Sequence, residues 1–212
     1  MDDLEQSERV REWLRTNATA LTTGLVLGLG GILGWQWWQH SQVQHRQNAA
    51  ISFQALQQAA NNKDSVALEQ LAAQLSKKFG NTPYGMLALL RLADEKSAQN
   101  DLDGATSTLN EAVRAAQNPA LAALARLRLA RVQLADAKPQ AALDTLALIP
   151  SEDFTGLVAE VRGDALLALD RAAEAEAAYQ DALSTLETGA PNRSIVEMKL
   201  ADLGVALDEP GA

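Results

Sequence analysis

The most regular stretch of the sequence lies toward its C-terminal end, at residues 161–169 (VRGDALLAL) and 175–183 (AEAAYQDAL). Apolar residues recur in both runs at intervals of three and four, which is typical of amphipathic α-helices. In the second run Ala175 and Ala182 flank Tyr179, so a small, a large and a small residue share one helix face. Small residues let helices pack closely, and the large residue fills the space between them. The stretch therefore predicts two helices that pack against each other.

The same pattern occurs earlier in the chain, which indicates an internal repeat. The leading alanines of successive copies, from Ala67 to Ala175, are 38, 37 and 33 residues apart. The copies are Ala105, Leu109 and Ala112; Ala142, Leu146 and Ile149; Ala175, Tyr179 and Ala182; and, more loosely, Ala67, Leu71 and Gln74. The helices before them match through Leu89, Leu92 and Ala93, then Leu129 and Ala130, then Gly163 and Leu166.

Short polar breaks separate the periodic runs from residue 47 onward, and they predict about nine helices of roughly 10–18 residues with no strands. Thr82 and Asn118 are expected to cap helices, because each is followed by a proline suited to the first helical position. Gly80 is expected to close the preceding helix in a left-handed conformation. The sequence thus predicts an all-α array of short helices.

The repeat unit resembles the tetratricopeptide repeat, a helix-turn-helix pair of about 34 residues. We place this domain at residues 47–205, with the helix from about 193 to 205 as its terminal cap and residues 206–212 as a flexible tail. Residues 141–150 are expected to form an unusually short second helix that ends at Pro150. Helical-repeat arrays ordinarily bind peptides or proteins on extended concave surfaces.

Residues 18–38 (ATALTTGLVLGLGGILGWQWW) are 21 residues without an ionisable side chain. At about 1.5 Å of rise per residue, such a helix spans roughly the 30 Å hydrocarbon core of a bilayer. A buried core helix seldom runs this far without a charge. A cleaved signal peptide has a shorter apolar region that ends in small residues rather than tryptophans. We therefore interpret residues 18–38 as an uncleaved transmembrane helix.

Two kinds of residue within this helix indicate contacts. Trp35, Trp37 and Trp38 lie at its C-terminal end, where indole rings prefer the membrane interface. Glycines with G-x-x-x-G spacing form two neighbouring faces that let another helix approach closely, although glycine is also simply tolerated by lipid. The faces consist of Gly24, Gly28 and Gly31, and of Gly30 and Gly34.

The basic residues on the two sides of the helix predict its orientation. Arg9, Arg11 and Arg15 precede it, whereas only Arg46 lies between residues 40 and 58. The positive-inside rule therefore predicts a cytoplasmic leader at residues 1–17. Residues 39–46 are then a juxtamembrane linker, and the repeat domain lies on the far side, which in a bacterium is the periplasm.

The composition argues against an enzyme. The chain has no cysteine and only two histidines, His40 and His45, which lack a third metal ligand. No constellation of side chains suits catalysis, a metal or another cofactor, and no small-molecule substrate is indicated. The net charge of −9 is the wrong sign for a nucleic-acid-binding protein.

The charge is distributed unevenly along the soluble part. Residues 39–143 have a net charge of +3, whereas residues 144–212, with four basic and fourteen acidic residues, have a net charge of −10. Such a polarity steers a partner with a basic patch toward the C-terminal half. The alternative is that the acidic helix faces serve only solubility.

The whole chain resembles the YfgM-like family, the ancillary subunits of the bacterial Sec translocon. The resemblance is carried by residues 24–35 (GLVLGLGGILGW), 82–93 (TPYGMLALLRLA), 127–133 (LRLARVQ) and 161–167 (VRGDALL). It implies a single-pass inner-membrane protein whose partners are subunits of the Sec translocon and a membrane-anchored periplasmic chaperone of the prolyl-isomerase type. The implied role is to help newly translocated proteins reach their chaperones.

Two other functions fit the residues. One is a repeat scaffold for a different envelope assembly, such as cytochrome maturation or cell division. The other is a soluble cytoplasmic regulator whose apolar N-terminal segment is buried.

Overall fold

The computed structural model describes residues 2–187 and 189–204, and all regular secondary structure in those residues is α-helical. The helices are α1 (Asp2–Asn61), α2 (Ser65–Phe79), α3 (Pro83–Ala98), α4 (Leu102–Ala115), α5 (Pro119–Ala135), α6 (Pro139–Leu146), α7 (Thr155–Leu167), α8 (Ala172–Thr185) and α9 (Arg193–Asp202). The predicted all-α class is confirmed. The predicted tail at residues 206–212 lies outside the described residues.

The chain divides into two compact units, residues 1–48 and 49–212. The described part of the first unit is helical throughout, including the predicted linker at residues 39–46. No single helix in the described residues is by itself long and apolar enough to cross a membrane. Two consecutive segments of α1, Trp13–Ala20 and Thr22–Asn61, meet that requirement only when taken together, and a bend of 42° separates them. Glycines and Gln36 dilute the apolar residues after the bend, which is why both segments are needed.

The second unit is a series of helical hairpins. Residues 49–61 pair with α2, and α3 with α4, α5 with α6 and α7 with α8 follow. Each helix from α2 to α9 packs against the next one, and α5 also contacts α7. Helix α9 has no second helix of its own in the described residues and packs on α8.

Four core clusters lie along the series, and each is built from three consecutive helices. The first helix of each inner hairpin belongs to two clusters at once. Helix α5, for example, places Ala125 and Leu129 in one cluster and Leu127 and Ala130 in the next. Because opposite faces of such a helix are both buried, its sequence is apolar nearly all round rather than amphipathic.

The turns within the hairpins follow one geometry. A left-handed residue closes each first helix, at Lys63, Asn100, Ala137 and Asp170, so these residues are 37, 37 and 33 positions apart. In each turn the next residue donates its backbone N–H to the carbonyl five positions earlier, at distances of 2.8–3.0 Å. The left-handed residue itself donates its N–H to the carbonyl three positions earlier, and the two bonds together form the Schellman motif. The repeat is therefore present in the backbone as well as in the core.

The connections between hairpins are different. Gly80 is right-handed, with φ −59° and ψ −21°, so its predicted left-handed conformation is wrong. Pro83 restricts Thr82 to an extended conformation, and the chain reverses there instead. Thr82 donates its hydroxyl to the carbonyl of Phe79 rather than capping α3, whereas Asn118 does cap α5 by accepting from the N–H of Leu121.

The repeat signature identified in the sequence lies in the core. The residues Ala105, Leu109, Ala112, Ala142, Leu146, Ile149, Gly163, Ala175, Tyr179 and Ala182 are all buried. In the first hairpin the register differs from the prediction by one residue. Leu68, Ala72 and Leu75 face the core there, whereas Gln74 is exposed.

Gly163 has a direct packing role. A Cβ atom at this position would lie 2.4 Å from Cε1 of Tyr179, so only glycine lets α7 approach the ring this closely. Gly163 and Tyr179 thus fix the distance between the two helices of the last hairpin.

Candidate interaction surfaces

The first helices of the hairpins carry a row of charged side chains, which we call the first-helix row: Asp94, Arg128, Arg131, Glu160, Asp164 and Lys199. Arg128 on α5 donates to Asp94 on α3 at 2.7 Å. Arg131, one turn further along α5, lies 4.0 Å from Glu160 on α7. The row therefore connects neighbouring hairpins through their first helices.

Lys199 completes the row at α9. Its ammonium group donates to Glu160 at 3.0 Å and to Asp164 at 2.9 Å, both on α7. Glu160 is only 7% exposed, so its charge depends on these partners. Asp164 also accepts the hydroxyl of Tyr179 at 2.7 Å. Burial, and then the bond to Asp164, raise the pKa of Tyr179 and keep the phenol protonated.

The first-helix row contains three acidic and three basic residues. The ion pairs of the row join neighbouring helices. Because its charges sum to zero, the row contributes no net long-range attraction to a charged partner. A cavity of about 540 Å³ adjoins it between α3, α4 and α5. Ser97 lies in this cavity, and its hydroxyl oxygen is buried with no hydrogen-bond partner in the described part of the chain.

A second cavity, of about 330 Å³, lies beside the connection from α6 to α7, and we call it the α6–α7 cleft. Its walls are that connection, α7 and the C-terminal part of α8. Apolar and charged side chains both line it, among them Ile149, Val158, Arg162 and Asp181. The cleft belongs entirely to the repeat unit.

The first unit exposes the residues predicted to contact lipid or another helix. A Cβ atom on Gly24, Gly28, Gly30, Gly31 or Gly34 would have no neighbouring atom within 4 Å, so both glycine faces are open. Trp35, Trp37 and Trp38 are all exposed by half or more. The rings of Trp35 and Trp38 lie 5.2 Å apart, in a tilted contact.

No group of three or more metal-ligating side chains occurs among the described residues. His40 is exposed, and His45 is half-buried.

Sequence reasoning did not find the first-helix row. The signal available was that acidic and basic residues recur about one repeat apart, as Asp94 and Arg128 do at 34 positions and Asp164 and Lys199 at 35. That signal is weak on its own, because a charge one repeat away pairs only when both residues lie on the same side of the array. The α6–α7 cleft was also missed, although the short helix beside it was predicted.

Helix pairs of this length, with small residues at every close approach, define a helical-repeat protein of the tetratricopeptide type. The family model described as tetratricopeptide repeat-like domain matches residues 11–205. Among solved structures, MamA from Desulfovibrio magneticus RS-1 (residues 41 to the end) has a TM-score of 0.56 at 15% identity, covering 74% of this chain and 83% of that one. A putative kinesin light chain from Podosopora anserina has a TM-score of 0.55 at 19% identity, covering 74% and 84%. These similarities show the fold.

The chain belongs to the family of ancillary SecYEG translocon subunits. The family member from Escherichia coli (strain K12) is 32% identical over 204 residues, which cover 95% of this chain and 96% of that protein. The member from Haemophilus influenzae (strain Rd) is 25% identical, covering 86% of this chain and 89% of its own length. The resemblance identified from the sequence is therefore confirmed.

Proposed function

We propose that this protein is a membrane-anchored interaction module that works beside the SecYEG translocon. The observation that carries the proposal is similarity over nearly the whole length to proteins named ancillary SecYEG translocon subunits. The repeat fold supports it, since such arrays ordinarily bind other proteins. No catalytic step is part of the proposal.

The anchor is the stretch at residues 18–38. Its apolar side chains, such as Leu25, Val26 and Leu27, are each more than 60% exposed, which suits contact with lipid tails. Arg11 and Arg15 lie before the stretch, so the positive-inside rule places the N-terminus in the cytoplasm. The repeat domain then lies in the periplasm, attached to the inner membrane.

The partners are subunits of the Sec translocon and a membrane-anchored periplasmic chaperone of the prolyl-isomerase type. The role is to bring newly translocated proteins to that chaperone. A module anchored next to the translocon raises the effective concentration of a bound chaperone at the site where clients emerge. Binding two partners needs separate faces, and both units of the chain have exposed surfaces that suit contacts.

Co-purification from gently solubilised membranes tests this function. We expect the full-length chain to recover both SecYEG and the chaperone, whereas an unrelated single-pass protein at equal expression recovers neither. Recovery of neither by this chain would overturn the proposal. Recovery of SecYEG alone would remove the chaperone from it.

The glycine face allows a sharper test within the membrane. Gly24→Leu with Gly28→Leu fills the closest approach and should reduce translocon recovery without preventing insertion. Thr22→Leu with Val26→Leu adds bulk on the opposite side of the helix, because each residue advances by about 100°. We expect this control pair to leave recovery unchanged. Equal recovery by both pairs would mean that these glycines are not a contact face.

A further inference from the structure

The α6–α7 cleft exists because one second helix is short. Helix α6 has 8 residues, whereas the corresponding helices α2, α4 and α8 have 15, 14 and 14. The chain leaves the helix after Leu146 and passes through Pro150, which cannot donate a helical hydrogen bond. The missing turns leave α7 and the end of α8 uncovered on this side, and the cavity of about 330 Å³ lies there.

The inner wall of the cleft is apolar. Ile149, Val158 and Ala159 line it and are at most 8% exposed, so they form a fixed floor rather than a mobile surface. Leu148, which precedes Ile149 in the chain, is 66% exposed. An apolar side chain of a partner that fills the cavity would itself be removed from water against this floor.

Charged side chains form the rim of the cleft. Asp153 on the connection, Asp181 on α8 and Arg162 on α7 all line the cavity. None of the three forms an ion pair with any residue in the described ranges 2–187 and 189–204. The charges of the first-helix row, in contrast, are paired from hairpin to hairpin.

The connection that forms one wall is also conformationally unusual. Phe154 adopts the left-handed region, with φ 52° and ψ 34°. Among the described residues, it is the only non-glycine residue in that region that does not close the first helix of a hairpin. A bulky residue holds this conformation under backbone strain, and such strain is concentrated at functional sites.

We infer that the α6–α7 cleft binds a segment of a partner protein in which an apolar side chain is flanked by basic residues. The apolar side chain contacts Ile149 and Val158, and the basic residues pair with Asp153 and Asp181. Arg162 donates to a backbone carbonyl of the segment. The net charge of −10 on residues 144–212 favours this occupant over an acidic one. The inference rests on the proposed function as an interaction module and names the chemistry of one partner surface.

The test uses the full-length chain in mild detergent and two fluorescent peptide libraries. Both libraries have a fixed central leucine, and the two positions on each side are restricted to Lys and Arg in one library and to Asp and Glu in the other. Fluorescence anisotropy at 50 mM and 300 mM salt measures binding. Further samples are the double variant Asp153→Asn with Asp181→Asn and a charge-matched control, Asp170→Asn with Asp202→Asn. The last sample is Ser184→Trp, which places a bulky ring in the cleft from α8.

We expect the basic library to bind and the acidic library not to bind. The cleft variant should weaken binding by about tenfold, and the charge-matched control by less than about twofold, because paired charges at a contact outweigh the long-range field. Ser184→Trp should abolish binding even though it changes no charge. Circular dichroism must show unchanged helix content in every variant, and if Ser184→Trp fails this control it is replaced by the smaller, equally uncharged Ser184→Leu.

Three results would overturn the inference: no binding of the basic library, equal weakening by the cleft and control variants, or full binding by the plugged cleft. Translocon recovery is measured separately on the same variants. If the wild-type chain recovers SecYEG normally but binds no peptide, the inference about the cleft fails and the proposed function stands. Failure of the wild type to recover SecYEG would instead reject the proposed function.

Discussion

At the scale of single residues, the sequence predicts side-chain roles best where one physical requirement dominates. The small residues of the repeat were identified because helices cannot pack closely around large ones, and Gly163 against Tyr179 is the clearest case. Asn118 is predicted to be a cap because Pro119 follows it, and its side chain does accept from an N–H group that the helix leaves free. Gly80 was assigned wrongly, since a glycine permits a left-handed conformation but does not require one. The residues that do adopt it all carry side chains: Asn100 and Asp170 are of types that enter this region readily, whereas Lys63 and Ala137 are not.

Ala137 allows a direct measurement of this backbone effect. It closes α5 with φ 54°, a conformation that costs an alanine roughly 1 kcal/mol and a glycine almost nothing. We therefore expect Ala137→Gly to raise the free energy of unfolding by about 0.5–1 kcal/mol in urea denaturation. The control is Ala177→Gly, on the exposed side of α8, which should lower it by about 1 kcal/mol. A loss of stability in both variants would contradict the left-handed turn.

Tyr179 makes stability depend on pH in the alkaline range. Burial raises its pKa in the folded state above the ordinary value near 10, so the folded state holds the proton more tightly than the unfolded state. This contribution is complete below pH 10 and is lost as the pH rises above it. We expect stability between pH 10 and 11 to fall less steeply in Tyr179→Phe than in the wild type. Identical slopes in the two proteins would reject the assignment.

At the scale of helices, the sequence indicates where several helices begin, but not which side chains form ion pairs between them. Pro83, Pro119 and Pro139 each occupy the first turn of a helix, so the sequence indicates the starts of α3, α5 and α6. The ion pairs of the first-helix row depend on the angle between hairpins, which no local pattern encodes. The α6–α7 cleft is an intermediate case. A short second helix is predicted at residues 141–150, and α6 is short but lies at Pro139–Leu146, so it ends before Pro150. The cavity itself follows from how α7 and α8 pack.

Lys199 is expected to hold α9 on α7. Lys199→Met keeps the length of the side chain and leaves the buried Glu160 without its shortest ion pair. The variant should lose about 1–3 kcal/mol of stability, as expected for an unsatisfied buried charge. Hydrogen exchange should increase first in residues 193–202, because α9 contacts the array only at its end. Arg171→Met removes an exposed pair with Glu174 and should leave both measurements unchanged. Equal effects of the two variants would show that the Lys199 contacts have no special role.

At the scale of the whole molecule, the repeat domain and the predicted membrane segment differ in how far the sequence determines them. The repeat domain was predictable because its period recurs four times, so that errors in one copy, such as the one-residue shift in the first hairpin, do not change the fold. The predicted membrane segment occurs once in the chain, so no second copy supports its interpretation. Its orientation therefore depends on the count of basic residues at its two ends.

Protease protection on spheroplasts tests that orientation for the whole chain. If Arg9, Arg11 and Arg15 hold the N-terminus in the cytoplasm, protease added outside should digest everything beyond Trp38 and leave a fragment that contains residues 18–38. Moving the three arginines to positions 40, 42 and 44 reverses the bias without altering residues 18–38, and we expect this variant to be protected in part. A lysed sample must digest in both cases. Full protection of the wild-type chain would place the repeats in the cytoplasm, where they do not meet emerging clients, and the proposed function would then fail with the orientation.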